Sequence, residues 1–344
     1  MSEQSKYENA GVDIRAGDKV KAMMRRFVET TYGQSVIGDF GGFGGLYSLK
    51  ELTGSDIVLV GSADGVGTKL KLAFAIGRHD TVGQDLVNHL VNDILCCGAR
   101  PLFFFDYLGL GRMDQSTVLE VIRGLSTACK ENQTALLGGE TAQMPGFYAD
   151  DEYDLAGFIV GWVRKDEIID GRSIEPGDKI IGLASSGLHT NGYSLARKAF
   201  FEIARMKPGD KIAETGNEVY DDLMRIHRPY LKAIEPLLKK NIIKGIAHIT
   251  GGGFEGNISR ILPQGIQAVI NTSSWTVPGV FKAIQNISST PIKEMYRVFN
   301  MGIGMTLFCS PENCRELLLE LAACQAVEIG HCQAGTREVI INYE

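Results

Sequence analysis

A chain of 344 residues, 44% hydrophobic and 22% charged with 41 glycines, has the composition of a globular protein rich in tight turns and is long enough for two packed domains. A net charge of −6 leaves no polybasic surface for nucleic acid or a membrane, and neither a secretory signal in MSEQSKYENAGVDIRAG nor any membrane-length apolar run is present, so a cytoplasmic protein acting on small molecules is expected. Seven cysteines without a CxxC pair fit reduced, buried thiols rather than a disulfide framework or a zinc site.

In chain order, the run GDFGGFGGLY reads either as a flap over nucleotide phosphates or as a flexible linker. The strand Ile57 to Val60 then enters GSADGVGTKL. Asp64 can bind a divalent metal, Gly65 and Gly67 let backbone amides approach oxygen atoms, Thr68 adds a hydroxyl and Lys69 a point charge. The order is not that of a Walker A loop, and a strand-to-helix turn capped by Asp64 explains the same residues.

From Asp80 to Gly98 the apolar stripe Val82, Leu86, Val87, Leu90, Val91, Ile94 and Leu95 predicts an amphipathic helix. Asp85, His89 and Asp93 fall along one edge of its other face with Asn88 and Asn92 beside them. That edge is either solvated or, through Asp93, part of a metal site. After the strand-like TALL, GGET predicts a tight turn exposing Glu140, which either completes an oxygen-ligand site for Mg²⁺ with Asp64 and Asp93 or lies on the surface.

A boundary near RKDEIIDGRSIEPGDK divides the chain into residues 1–170 and 171–344,. Beyond it, the strand KIIGLA precedes SSGLHTNGYSL, where His189 is a candidate proton or hydrogen-bond donor and Asn191 a substrate contact or helix cap. The strand GIAHIT leads into Gly251, Gly252 and Gly253, a candidate phosphate site at the start of a helix. The same stretch satisfies GxGxxG, but NTSSWT lacks the acidic residue a nicotinamide site needs. EVIINY reads as a terminal strand. Strand runs ending in glycine-rich or acidic loops before helical patterns indicate α/β architecture.

Taken together, YENAGVDIRAG, GGFGG, DGVGTKLKLA, DLVNHLVNDI, PLFFFDY, GGETAQMPG, YDLAGF, SSGLHTNGYSL, HITGGGF and MYRVFNMGIGM resemble, over nearly the whole chain, the phosphoribosylformylglycinamidine cyclo-ligase family. The resemblance implies ATP-dependent ring closure of formylglycinamidine ribonucleotide to aminoimidazole ribonucleotide in purine synthesis, through an iminophosphate. It implies an α/β fold of α+β type in two domains: an N-terminal mixed-sheet ATP-binding domain forming a barrel at a homodimer interface, and a C-terminal α/β domain contacting substrate. It further implies that Asp64, Asp93 and Glu140 hold Mg²⁺, that Lys69, Gly65, Gly67, Thr68 and the loop containing Gly41, Gly42, Gly44 and Gly45 contact ATP, that His189 and Asn191 face the reacting amide, and that Gly251 to Gly253 bind the ribosyl phosphate. Gln143, Gly256 and Ser259 depart from the family pattern, so no carboxylate role passes to position 143. Selenophosphate synthetase, thiamine-phosphate kinase and the larger amidotransferase of the preceding purine step share the plan. The first normally carries a reactive cysteine near the N-terminal glycine-rich region, whereas the first cysteine here is Cys96. A non-catalytic nucleotide-binding protein is the alternative of a different class.

Overall fold

The computed structural model describes residues 36–37, 45–48, 56–111, 114–144 and 146–343. Gly41, Gly42 and Gly44 lie outside the described residues, and Gly45 is the first residue of a strand.

Among the described residues the chain forms two six-stranded sheets. The first contains β1 (Val36–Ile37), β2 (Gly45–Ser48), β3 (Ile57–Gly65), β4 (Arg100–Leu110), β5 (Ala135–Gln143) and β6 (Tyr153–Arg164), in the order β1-β2-β3-β6-β4-β5. Only β4 and β5 pair in parallel. In β6 the residues from Tyr153 to Val163 are buried at every second position, the period-2 pattern of a strand with one covered face. The cover is α1 (Leu70–Ile76), α2 (Asp80–Leu95) and α3 (Gln115–Glu131). Gly157 and Gly161 exist for that packing: a Cβ at 157 would lie 2.9 Å from Leu90 Cδ1, and one at 161 would lie 2.6 Å from Ile94 Cδ1.

The second sheet contains β7 (Lys179–Ala184), β8 (Gly245–His248), β9 (Ile266–Asn271), β10 (Ile303–Cys309), β11 (Val327–Ala334) and β12 (Val339–Asn342), ordered β12-β9-β11-β7-β10-β8. Here β12 and β9 are parallel and the other pairs antiparallel. Every residue of β10, which lies between β7 and the edge strand β8, is buried. The terminal strand expected from EVIINY is β12. No helix among the described residues is long and apolar enough to cross a membrane.

Two expected loops are strands instead. β3 continues past Val60 and stays in register with β6 until Gly65 meets Ala156, so Asp64 sits inside the strand rather than capping a helix. β5 likewise carries Glu140 within its ladder, opposite Tyr107. At Gly139 a Cβ would lie 2.3 Å from Asp106 Oδ1, so the glycine that suggested a turn makes room for a buried neighbour.

Candidate active-site cleft

The polar edge of α2 is not solvated. Asp85, Asn88, His89, Asn92 and Asp93 are all buried, because the second half of the chain docks on them. Asp85 Oδ1 accepts from His227 N at 2.8 Å, Asn88 Nδ2 donates to His227 O at 2.8 Å, and Asn92 Nδ2 donates to Arg228 O at 2.9 Å while its Oδ1 accepts from Tyr230 N at 3.0 Å. Side-chain amides and a carboxylate thus satisfy a backbone segment that has no ladder of its own.

Beside this seam lies a polar cleft of about 270 Å³, walled by residues 64–68 on one side and by His89 and residues 190–194 on the other. Asp64, Gly65, Gly67, Thr68 and Asn191 are therefore brought together. Asp64, with φ-permissive Gly67 (φ 68°) closing the turn behind it, presents a half-exposed carboxylate. Asn191 does not cap the helix Tyr193–Arg197, whose N-cap is Gly192. Its Nδ2 is buried without a hydrogen-bond partner, leaving an amide donor at the cleft wall. A larger depression of about 510 Å³ on the helix Pro311–Glu320 is lined by ordinary surface side chains of that helix and offers no comparable chemistry.

Two carboxylates from different elements converge on one imidazole. His89 Nε2 lies 3.1 Å from Asp64 Oδ2 and 3.6 Å from Asp93 Oδ2, and Ser62 Oγ donates to the same Asp93 oxygen at 3.2 Å. Burial opposes the charge on His89, but Asp93 and Asp64 outweigh it and raise its pKa to about 9. Burial likewise opposes ionisation of Asp64, yet the His89 hydrogen bond and charge hold that carboxyl below its ordinary value,. Both shifts favour the charged forms of the His89–Asp64 pair.

Three further histidines meet behind His89. His248 Nδ1 lies 2.8 Å from Asp93 Oδ1, His227 Nε2 lies 3.0 Å from His248 Nε2, and the His189 ring stacks on His227 at 3.9 Å and 22°. Burial lowers the pKa of all three; for His189 and His227 nearby cations deepen the effect, and for His248 the Asp93 carboxylate opposes it. The sequence shows no clustered metal-ligand set, yet the fold gathers His89, Asp93 and His248, and also His189, His227 and His248, within ligand reach of one another.

Other expected residues take different places. Lys69 is fully buried, with Nζ 2.7 Å from Asp85 Oδ2 and donating to Arg225 O at 2.7 Å, so its ammonium is committed inside the protein and not to a phosphate in the cleft. Burial lowers its pKa against the opposing Asp85 charge. His189 has φ 60° and is 1% exposed; Tyr193 Oη and Lys69 Nζ hold its carbonyl at 3.1 and 3.4 Å. The ring is buried behind the cleft wall, and it is Thr190, the next residue, that lines the cleft. Glu140 is exposed. Asp64, Gly157, Asp106 and Gly139 are successive partners across the sheet on its helix-covered face, so Glu140, next to Gly139, points to the other face and stands three strands, about 14 Å, from Asp64. A site made of all three carboxylates is not assembled within one chain. Gly251 adjoins Asn191, whose Oδ1 would lie 3.3 Å from a Cβ there, while Gly252 (φ 94°) and Gly253 (φ 60°, its Cβ position 1.8 Å from Tyr296 O) are demanded by the backbone.

Thr190, His227 and His248 are not among the residues that the sequence motifs single out, and His89 stands there only on a helix edge. Nothing in RIHRPY distinguishes His227. For His248, its place at a strand end just before the glycine triplet was a usable signal.

Fold and cleft define a two-domain protein of the AIR synthase related class: the N-terminal domain model of that class matches residues 46–163 and the C-terminal domain model residues 175–342. The chain belongs to the phosphoribosylformylglycinamidine cyclo-ligase family. It is 49% identical over 335 residues to the phosphoribosylformylglycinamidine cyclo-ligase of Geotalea daltonii, spanning 96% of each chain, and 50% identical over 315 residues to that of a Thermoanaerobacter species, spanning 92% of this chain and 93% of that one. The fold is also that of a chain in the crystal structure of the HypE–HypF complex (TM-score 0.66, 16% identity, 93% of this chain and 95% of that one). It is shared by thiamine-monophosphate kinase from Stenotrophomonas maltophilia (TM-score 0.63, 15% identity, 92% and 94%). The T. maritima PurL complexed with FGAR matches at TM-score 0.56 and 16% identity, over 84% of this chain and 44% of that one.

Proposed function

We propose that the chain uses ATP to close the imidazole ring of formylglycinamidine ribonucleotide, releasing aminoimidazole ribonucleotide, ADP and phosphate. The observation that carries the site assignment is the convergence of Asp64 and Asp93 beside a cleft whose far wall holds Thr190 and the unpaired amide of Asn191.

The formamide oxygen of the substrate is a poor leaving group. Its attack on the γ-phosphorus of ATP expels ADP and forms an iminophosphate; an amidine-side nitrogen then attacks the activated carbon, and phosphate leaves with the former formamide oxygen. Asn191 Nδ2 donates to the polar end of the substrate and fixes its approach, which is where orientation lowers the barrier. The backbone of Gly67 and the Thr68 side chain, at the cleft wall, border the nucleotide phosphates, while the Gly65 N–H already donates to Asp64 Oδ1 at 2.6 Å. Gly251, beside Asn191, borders the ribosyl-phosphate end.

Asp64 and Asp93 fit Mg²⁺: both are hard oxygen donors, and they already share one cation in His89. Bound there, the ion would neutralise phosphoryl charge as it develops. Glu140 has no part in that set within one chain. The partner we propose is a second copy, joined through the outer face of the first sheet. There Leu102, Phe105, Leu137 and Phe158 are 41%, 37%, 60% and 47% exposed, an apolar surface that a lone subunit would leave in water.

Purified protein incubated with ATP, Mg²⁺ and formylglycinamidine ribonucleotide is expected to form aminoimidazole ribonucleotide and ADP in equal amounts. ADP without the aminoimidazole, or neither product at saturating substrate, defeats the assignment.

A further inference from the structure

One buried residue ties the two sides of the cleft together without touching it. His227 is 0% exposed and sits between the helices Val219–Leu223 and Leu231–Leu238. Its backbone is clamped to α2 on both sides, N–H to Asp85 and C=O to Asn88, so the ring has a fixed origin. The ring nitrogens then face two different groups: Nδ1 lies 3.4 Å from Thr190 Oγ1 and Nε2 lies 3.0 Å from His248 Nε2.

The proton on every member of this chain follows from its end. Asp93 Oδ1 can only accept from His248 Nδ1, so that nitrogen carries hydrogen,. A neutral His248 then has a bare Nε2, which accepts from His227 Nε2–H. A neutral His227 is left with a bare Nδ1, which accepts from the Thr190 hydroxyl. Thr190 Oγ1 is thereby turned to accept from His89 Nδ1–H at 2.7 Å, and His89 Nε2–H donates to Asp64. With every donor matched to an acceptor, donation runs in one direction from His89 through Thr190, His227 and His248 to Asp93, while the other nitrogen of His89 donates to Asp64,.

We propose that His227 is a positioning residue for the cyclisation: it fixes the direction of the Thr190 hydroxyl in the cleft wall and, through His248, the orientation of the Asp93 carboxylate. This rests on the reading of the cleft as the cyclisation site. His227 itself contacts no reacting group. Removing its nitrogens frees Thr190 Oγ1 to rotate and lets His248 change tautomer, so two walls of the cleft lose their set geometry together.

The test compares H227F, which keeps an aromatic ring for His189 to stack on, with H227Q, whose amide still donates toward His248, and with T190V and the double variant H227F/T190V. H227F is expected to lower kcat by roughly 10- to 100-fold with KM for ATP within about twofold of wild type. H227Q should recover part of that loss. The double variant should be no slower than the slower single variant, because both changes break the same chain. In ¹⁵N-histidine-labelled wild-type protein, NMR should show His248 protonated at Nδ1 and His227 at Nε2, a readout independent of turnover. A folded H227F with kcat within about twofold of wild type, losses that multiply in the double variant, or the opposite tautomer at His248 each overturn the proposal. If H227F does not fold, H227Q, T190V and the wild-type tautomers decide it alone. Wild-type protein that forms no aminoimidazole ribonucleotide, with the expected tautomers present, instead defeats the functional reading.

Discussion

Asp64 and Lys69 belong to one short motif and end in opposite environments, which decides what each can do. Asp64 reaches the cleft with a carboxylate held ionised by His89, so Asp64→Asn should reduce turnover at limiting Mg²⁺ by roughly 100-fold; unchanged turnover removes it from the metal set. Lys69 is paired with Asp85 where both are 0% exposed. Deleting one partner leaves the other charged and unpaired, so Lys69→Met should cost about 3–5 kcal/mol in urea unfolding, and adding Asp85→Asn should return part of it. A double variant no more stable than the single would show that Lys69 acts through its carbonyl contacts instead. His89 adds a pH signature. Its pKa rises from 6.5 in the unfolded chain to about 9 on folding, so its contribution is complete below pH 6.5 and is lost as pH rises through 9. At about 1.4 kcal/mol per pH unit that amounts to roughly 3 kcal/mol. In EDTA, wild-type stability should fall over this window, and His89→Gln should flatten the fall.

At the scale of elements, periodicity made α2 legible and its environment illegible. The apolar stripe predicted the helix that is observed, but a row of Asp, Asn and His at helical spacing looks the same whether it faces water or a docked backbone. What distinguishes the cases is the segment 227–230, more than a hundred residues later, with unpaired amides and carbonyls to satisfy. Asn92 serves that segment with both ends of its side chain, so Asn92→Ala should destabilise by about 2–3 kcal/mol, read by chemical denaturation. A loss below about 0.5 kcal/mol would mean that water replaces the amide. The strands show a complementary blind spot. GSADG and GGET look like turns because glycine permits turns, yet in β5 Gly139 is there to admit the Asp106 side chain. Local composition cannot separate a glycine chosen for its backbone from one chosen for its missing side chain.

At the scale of the molecule, the outer face of the first sheet carries an exposed apolar surface among the described residues. One face of that sheet is filled by α2 and its neighbours; the other carries Phe105 opposite Phe158 across β4 and β6, with Leu137 at a bulge of β5 and 60% exposed. Antiparallel sheets tolerate one wet face when that face is polar. Here it is aromatic and aliphatic, and a second copy presenting the same surface would bury both by two-fold symmetry. Phe158→Asp places a charge at its centre without entering the helix-covered core, since residue 158 alternates with buried Gly157 and Ile159. Sedimentation should show wild-type protein as a dimer and Phe158→Asp as a monomer with unchanged far-ultraviolet circular dichroism. Glu140 lies on this same face, so monomerisation should also reduce cyclisation if the partner's surface helps to complete the site. A monomeric wild-type protein of full activity would confine the whole reaction to one chain, and a variant that stays dimeric would place the interface elsewhere on the surface.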